Sequence, residues 1–200
     1  SLLSHHKKTD ASATLSLWEV EDPSRFGVCD LDDSGMIRRF QEKPERGMEF
    51  SNLINAGCSI VERSILNSLP TGKFSMEREV FPDVAESGSM AGLVFEGYFV
   101  DAGTPSSFIQ AASACILNNR FSTGRREGNN WFGEGSVSEG VVENCSIGPG
   151  AIVSSGARLS DSVILDGAHI GEGAILNSCI VGRGATVPPN SDVSNEIIAD

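Results

Sequence analysis

The feature that most constrains this chain is a short repeat in its last third. Beyond residue 140 an aliphatic residue recurs almost every six positions: Val141, Ile147, Val153, Leu159, Ile164, Ile170, Leu176, Val181, Val187 and Val193. Two of the steps are five. Glycine and small residues fill the gaps, as in Ile147-Gly148-Pro149-Gly150-Ala151 and Ile170-Gly171-Glu172-Gly173-Ala174. A fixed short period marks a solenoid, in which each repeat packs only on its neighbours. Six residues suffice for one short strand and one corner. The expected form is a three-sided prism with the aliphatic side chains inward, and residues 141–194 hold about three coils. Cys145 and Cys179 then share one column two coils apart, about 10 Å at the ~4.8 Å spacing of adjacent strands, too far for a disulfide.

This hexapeptide pattern resembles the left-handed parallel β-helix. That fold raises an acyltransferase reading, in which a histidine on a coil acts as the base. His169 is the candidate, but it immediately precedes an inward position and should point outward near a corner.

Composition separates the repeat from what precedes it, because the 22 glycines crowd toward the C-terminal third. The formal net charge is −12, and no basic cluster exceeds pairs such as Arg125-Arg126. Nucleic-acid binding needs a basic face, so that class is excluded. Five widely spaced cysteines without a C-x-x-C pair read as small buried thiols in a reducing compartment. No apolar run is long enough to span a membrane and no signal peptide is evident, so a cytoplasmic protein is expected. The chain opens on Ser, and His5-His6 reads as a loop remnant as readily as a chemical feature.

Ahead of the repeat, β-type and helical patterns alternate. Residues 11–20 alternate as a strand, and residues 25–31 and 36–43 form a hairpin around Asp32-Asp33-Ser34-Gly35. That acidic turn partly fits a calcium loop, but Gln41 stands where a bidentate Glu is needed. Residues 52–61 read as a buried strand containing Asn55-Ala56-Gly57; the glycine marks either a bulge or a close approach by a ligand. Helices are expected at 62–69 and, interrupted by Pro82, at 76–86; strands at 90–96 and 98–100. Thr104-Pro105 starts a further helix to about residue 119. Asp101 would then sit between a strand end and a helix start, where open α/β sheets gather ligands. Residues 118–140, rich in Asn, Ser and Gly, read as a linker.

Several of these stretches together resemble the nucleotide-sugar pyrophosphorylases, also called sugar-1-phosphate nucleotidyltransferases. Phe40-Gln41-Glu42-Lys43-Pro44 is similar to their F-x-E-K-P motif, Asn55-Ala56-Gly57 to their N-A-G segment, and Asp101-Ala102-Gly103-Thr104-Pro105 to their D-x-G-T-P metal loop. Ser75-Met76-Glu77-Arg78-Glu79-Val80-Phe81-Pro82 resembles a stretch typical of the mannose-1-phosphate guanylyltransferase branch. The resemblance implies an α/β fold: an incomplete Rossmann-like nucleotidyltransferase domain at 1–117, the linker at 118–140, a left-handed parallel β-helix at 141–194 and a tail at 195–200. It implies a reaction in which a sugar 1-phosphate attacks the α-phosphorus of a nucleoside triphosphate, GTP being favoured. Lys43 would be the catalytic cation on the sugar phosphate. Glu42 and Asn55 would accept sugar hydroxyls, Gly27 and Gly57 would allow close approach, and Asp101 would ligate Mg²⁺. Adjacent residues of a regular strand face opposite ways, so Glu42 and Lys43 share a site only if the strand ends or twists there.

Two family elements are absent from these 200 residues: the Gly-rich loop that cradles the triphosphate, and the upstream Asp that would be the second metal ligand. The expectation is therefore an acceptor half-site, inactive alone and completed by the N-terminal half of the enzyme or another subunit, in a homo-oligomer. The alternative is a non-catalytic regulatory or assembly subunit. Without the family's first strands, the strands near 11–20 and 54–61 are expected to have open edges or exposed apolar faces.

Overall fold

The computed structural model describes residues 1–199. They form two compact units, Ser1–Phe99 and a second from Val100 onward. The first is an α/β unit; the second is a solenoid of parallel strands consistent with a left-handed β-helix.

The first unit is built on a five-stranded mixed sheet. Its strands are β1 (Ala13–Glu19), β2 (Gly27–Leu31), β3 (Ile37–Glu42), β4 (Leu53–Val61) and β5 (Met90–Val94), in the order β3-β2-β4-β1-β5. The expected hairpin is present as β2 and β3. Its acidic turn is closed by Asp32, whose Oδ1 accepts from the amides of Ser34 (2.8 Å) and Met36 (3.0 Å). Hydrogen bonds from the Ser34 hydroxyl and then the Met36 amide hold this carboxyl down at about 2. The carboxylate thus serves the turn.

Three expectations are corrected here. Strand β1 has no open edge: β4 pairs with it antiparallel on one side and β5 parallel on the other, and residues 13–17 are buried. A bridge from Met36 to Ala91 also draws the start of β3 onto β5, so the sheet curls toward closure. Residues 98–100 form no strand; Phe99 instead packs its ring against Trp18 and Phe26, a side-chain anchor that needs no backbone ladder. The opening residues are helix α1 (Leu2–Thr9), which buries His6 against Thr14 and Glu62, with ring nitrogens at 2.7 and 3.1 Å from their side-chain oxygens.

One face of the sheet carries Leu15, Leu17, Cys29, Phe40 and Met90. Burial pushes the Cys29 thiol up to about 12, which keeps it inert. This face is covered by a π-helical turn, Met76–Val80, running directly into α3 (Phe81–Glu86); α2 (Arg63–Ser68) precedes both. Pro82 does not interrupt a helix. It lies in the first turn of α3, where its missing N–H has no intrahelical partner to lose. Phe81 meets Phe40 edge to face at 5.6 Å between ring centroids, locking α3 onto β3.

The second unit opens with α4 (Pro105–Leu117). Thr104 caps it by accepting from the Ser107 amide, and the Ser107 hydroxyl bonds back to the Thr104 N–H. The solenoid begins earlier than the expected residue 141. Residues 118–140 hold β6 (Arg125–Glu127), β7 (Asn130–Phe132) and β8 (Val137–Ser138), and β7 and β8 are full rungs. Trp131 and Phe132 set this start: Trp131 stacks on Phe121 at 4.2 Å and Phe132 enters the solenoid core. One face continues β7 with β10 (Ser146–Ile147), β13 (Val163–Ile164), β16 (Ile180–Val181) and β19 (Ile197–Ile198). The second continues β8 with β11 (Ile152–Val153), β14 (His169–Ile170) and β17 (Thr186–Val187). The third is β9 (Val141–Glu143), β12 (Arg158–Ser160), β15 (Ile175–Asn177) and β18 (Asp192–Ser194). The segment 195–200, expected as a tail, thus contributes the rung β19.

The coil is seventeen residues, two sixes and a five, as the pairs Ser146–Val163 and Val163–Ile180 show. This moves the first inward residue of the third face. Val142 pairs with Leu159 and packs on the core, whereas Val141 points out and is 65% exposed. The other expected inward residues from Ile147 to Val187 are buried. All five cysteines are free.

Candidate functional site

Strand β3 ends at Glu42, and Lys43 turns into the left-handed region with φ 45°. That conformation is strained for a side chain with a Cβ. It is held in place by the Lys43 amide, which donates to the Phe26 carbonyl at 2.9 Å. The turn has one clear consequence. Lys43 does not face away from Glu42 as the next strand residue would; its Nζ lies 3.8 Å from Glu42 Oε1. Acid and base thus share a side, with the Glu42 side chain 16% exposed and that of Lys43 58% exposed. A shielded acceptor beside an open cation suits a ligand with a hydroxyl at one end and an anion at the other.

Gly27 pairs directly with Glu42 across the hairpin. A methyl group here would stand 2.5 Å from the Phe40 ring and 2.9 Å from Glu42 Oε2. Glycine is therefore required for the ring and carboxylate to lie where they do. Val28 pairs with Ile54, so Asn55 is next in line with Gly27, and one row across three strands reads Glu42, Gly27, Asn55. Directly opposed residues point to the same face.

At Asn55 strand β4 bulges. The pairing steps from Leu15–Ser59 to Leu17–Asn55, leaving Ala56, Gly57 and Cys58 looped against Ser16 alone. The Ser16 hydroxyl donates to the Cys58 carbonyl (2.9 Å) and accepts from its amide (3.1 Å). Gly57 has φ 84° and open space around its missing Cβ. The positive φ is what the turn requires of this position. Its amide donates to Asn55 Oδ1 at 3.1 Å. The carboxamide oxygen keeps one further lone pair and Nδ2 two donors.

The π-helical turn supplies two neighbours that sequence reasoning did not assign to the site, Glu77 and Arg78. Both stand within the field of Glu42. Burial raises the Glu42 pKa; Lys43 opposes that, Glu77 adds to it and Arg78 opposes it. Phe81 packs on Phe40, and Arg78 and Glu77 lie one turn earlier, so they overlie the end of β3. A signal was present in the sequence: Ser75 to Pro82 is a helix start whose acids serve the cap. The Ser75 amide donates to Glu79 (2.9 Å) and its hydroxyl to Glu77 (3.0 Å).

Asp101 belongs to the second unit, in the loop before α4, and is exposed. No strand precedes it, contrary to expectation. It offers one hard oxygen donor, and among the described residues no group of three or more His, Cys, Asp or Glu could hold a metal. Mg²⁺ takes one or two carboxylates and fills its remaining positions with water and substrate phosphates. One carboxylate fits a share of such a site and does not make a whole one. His169 points outward, as expected, and its Nε2 lies 3.2 Å from the Ser154 hydroxyl.

Residues 1–117 match the nucleotidyl transferase family, and residues 134–200 match the GMPPB C-terminal domain. The chain is 31% identical over 177 residues to the probable mannose-1-phosphate guanylyltransferase 2 of Oryza sativa subsp. japonica, covering 82% of this chain and 48% of that protein. It is 34% identical over 173 residues to the mannose-1-phosphate guanylyltransferase of Mycobacterium tuberculosis, with the same coverage of each. Over 109 residues it is 36% identical to the mannose-1-phosphate guanylyltransferase catalytic subunit beta of Danio rerio, covering 54% of this chain and 30% of the other. The chain spans about half the length of the curated relatives that it matches across most of its own length.

Proposed function

The chain belongs to the nucleotidyl transferase family, and on that premise we propose that it carries the acceptor side of a mannose-1-phosphate guanylyltransferase. The substrates are mannose 1-phosphate and GTP; the products are GDP-mannose and pyrophosphate. The names of the similar proteins support the sugar and the base. The observation that carries the reading is the left-handed turn at Lys43, which sets its ammonium beside the Glu42 carboxylate.

The acceptor phosphate oxygen attacks the α-phosphorus of GTP and pyrophosphate leaves, so the protein contributes alignment and charge and no nucleophile. Lys43 holds the sugar phosphate as a point charge. Glu42 accepts from a sugar hydroxyl, Asn55 hydrogen-bonds the sugar through its carboxamide, and Gly27 makes the room that lets the Glu42 carboxylate lie beside the Phe40 ring. Asp101 contributes one oxygen to Mg²⁺, which when bound neutralises phosphate charge. A fragment or subunit bearing the Gly-rich loop completes the donor side. The relatives named catalytic subunits support a multi-subunit or homo-oligomeric assembly, and five free thiols fit the reducing cytoplasm.

The test is pyrophosphate release from GTP and mannose 1-phosphate with Mg²⁺, using this chain combined with a fragment that supplies the Gly-rich loop. Turnover is expected, with kcat/KM falling about 10²-fold or more in Lys43→Ala. A stable complex that binds both substrates without turnover would overturn the reading.

A further inference from the structure

Helix α2 carries apolar residues on one side, yet none of its residues is buried. Ile65 packs against the core of the first unit, and Leu66 is 51% exposed. Between α2 and the helical path that leads from the π-helical turn into α3 lies a cavity of about 280 Å³. Ile65 and Leu69 line it from the α2 side and Val80 and Val84 from the other, all four half-buried. The exposed carboxylates of Glu79 and Asp83 complete the lining. No basic residue lines the cavity, and among the described residues neither acid forms an ion pair. Glu79 Oε1 accepts from the Ser75 amide at 2.9 Å, which fixes that carboxylate in place while its second oxygen can still accept.

We propose that this groove is the docking site for a basic amphipathic helix of a partner protein. Its volume falls just below the roughly 300–1,000 Å³ of small-molecule sites. It suits instead the aliphatic anchors of a helix laid in a groove, spaced i and i+3 or i+4. Glu79 and Asp83 are four residues apart, one turn along their own helical path. Lysines or arginines spaced by one turn beside the aliphatic anchors therefore meet both carboxylates.

Charge selects this occupant over the others. A second copy of the chain docked two-fold on the groove would bring Glu79 and Asp83 up to their own equivalents, like against like. An anionic lipid surface is repelled by the same pair of acids. An uncharged apolar helix would cover both carboxylates and leave them without a partner, which costs desolvation with no return. A basic helix fills the apolar floor and pairs the acids at once. The contact is small, so a dissociation constant of about 10–100 µM is expected, weakening as salt is added.

The proposal is tested by fluorescence anisotropy of the full chain with a labelled probe, a helical peptide of leucine, alanine and lysine about 14 residues long. Its leucines occupy one helical face and its lysines flank them one turn apart. A peptide of the same composition with the leucines scattered around the helix should bind at least fivefold more weakly, and so should one with glutamate in place of lysine. Asp83→Lys is expected to weaken the lysine peptide at least fivefold and to tighten the glutamate peptide, the crossed result that a direct charge contact requires. Ser68→Arg, on the facing wall, adds a cation without altering α3 and should act in the same direction. No binding of the lysine peptide at several hundred micromolar would overturn the proposal. So would equal binding of the scattered peptide, or two variants without effect. Self-association of the chain that both variants change, with no peptide bound, would make a second copy the occupant and overturn it as well. The probe is titrated without GTP or sugar phosphate, so none of these outcomes bears on the acceptor site.

Discussion

The solenoid and the acceptor corner both rely on left-handed backbone, and they fill it differently. Along one corner of the solenoid the positive-φ positions are Asn144, Asp161, Ser178 and Asn195, one per coil. Asn and Asp adopt this region most readily among residues with a Cβ, and the column is tied together where Asn144 Nδ2 donates to Asp161 at 3.3 Å. In the first unit the corresponding residue is Lys43. Among the described residues with positive φ, glycine apart, it is the one that is not Asn, Asp or Ser. The solenoid corners use residues suited to the turn; the corner at Lys43 uses a residue that the turn disfavours and holds it by the Phe26 hydrogen bond and the Gly27–Glu42 pair. Local strain kept in this way is a mark of a functional position.

Core truncation should break this comparison most visibly. Leu176→Ala is expected to lower solenoid stability by about 2–5 kcal/mol, and Phe40→Ala to lower the first unit by about 3–5 kcal/mol, read by urea melts. Phe40→Ala should also abolish sugar-phosphate binding, because the ring positions Gly27 and the end of β3. Leu176→Ala should leave that binding unchanged.

Gly27→Ala comes next. Its methyl group collides with the Phe40 ring and the Glu42 carboxylate, and about 1–3 kcal/mol of destabilisation is expected. Lys43→Gly sharpens the contrast between the two kinds of corner. Removing the Cβ from a left-handed residue is expected to stabilise the fold by about 1 kcal/mol, and the same substitution at Asn144 by only a few tenths. Thermal melts that rank these two the other way would break the comparison.

The smallest effect is at Glu42. Its folded pKa is raised by burial, so its contribution to stability is greatest in acid and is lost as pH rises through the raised value. Glu42→Gln does not titrate. Its Tm should match the parent near pH 4 and exceed it slightly near pH 7, while sugar binding is lost.

How much of this was legible in the sequence follows from where the information sits. The repeat was readable because its core positions recur, yet its start was missed: Trp131 and Phe132 do in one aromatic pair what later coils do with aliphatics and Gly. Val141 was misplaced by one residue because Val141 and Val142 are indistinguishable until the seventeen-residue coil fixes the register. The motifs from Phe40 to Pro44 and at Asn55 to Gly57 fall at the end of β3 and at the bulge of β4, and glycine is required at residue 27 on steric grounds. The approach of Glu77 and Arg78 depends on tertiary packing that no local pattern encodes. Strand β1 was expected to have an open edge or an exposed apolar face, and its pairing with β4 and β5 closes both edges.

The central claim is that the turn at Lys43 makes one grip for sugar and phosphate. The most direct measurement is calorimetric titration of mannose 1-phosphate into this chain, with Lys43→Gly and Glu42→Gln beside it. Binding in the range of about 0.1–1 mM is expected for the parent, with loss of tenfold or more in each variant and with free mannose and inorganic phosphate each binding more weakly than the ester. Equal affinity in the parent and the Lys43→Gly chain would contradict the claim.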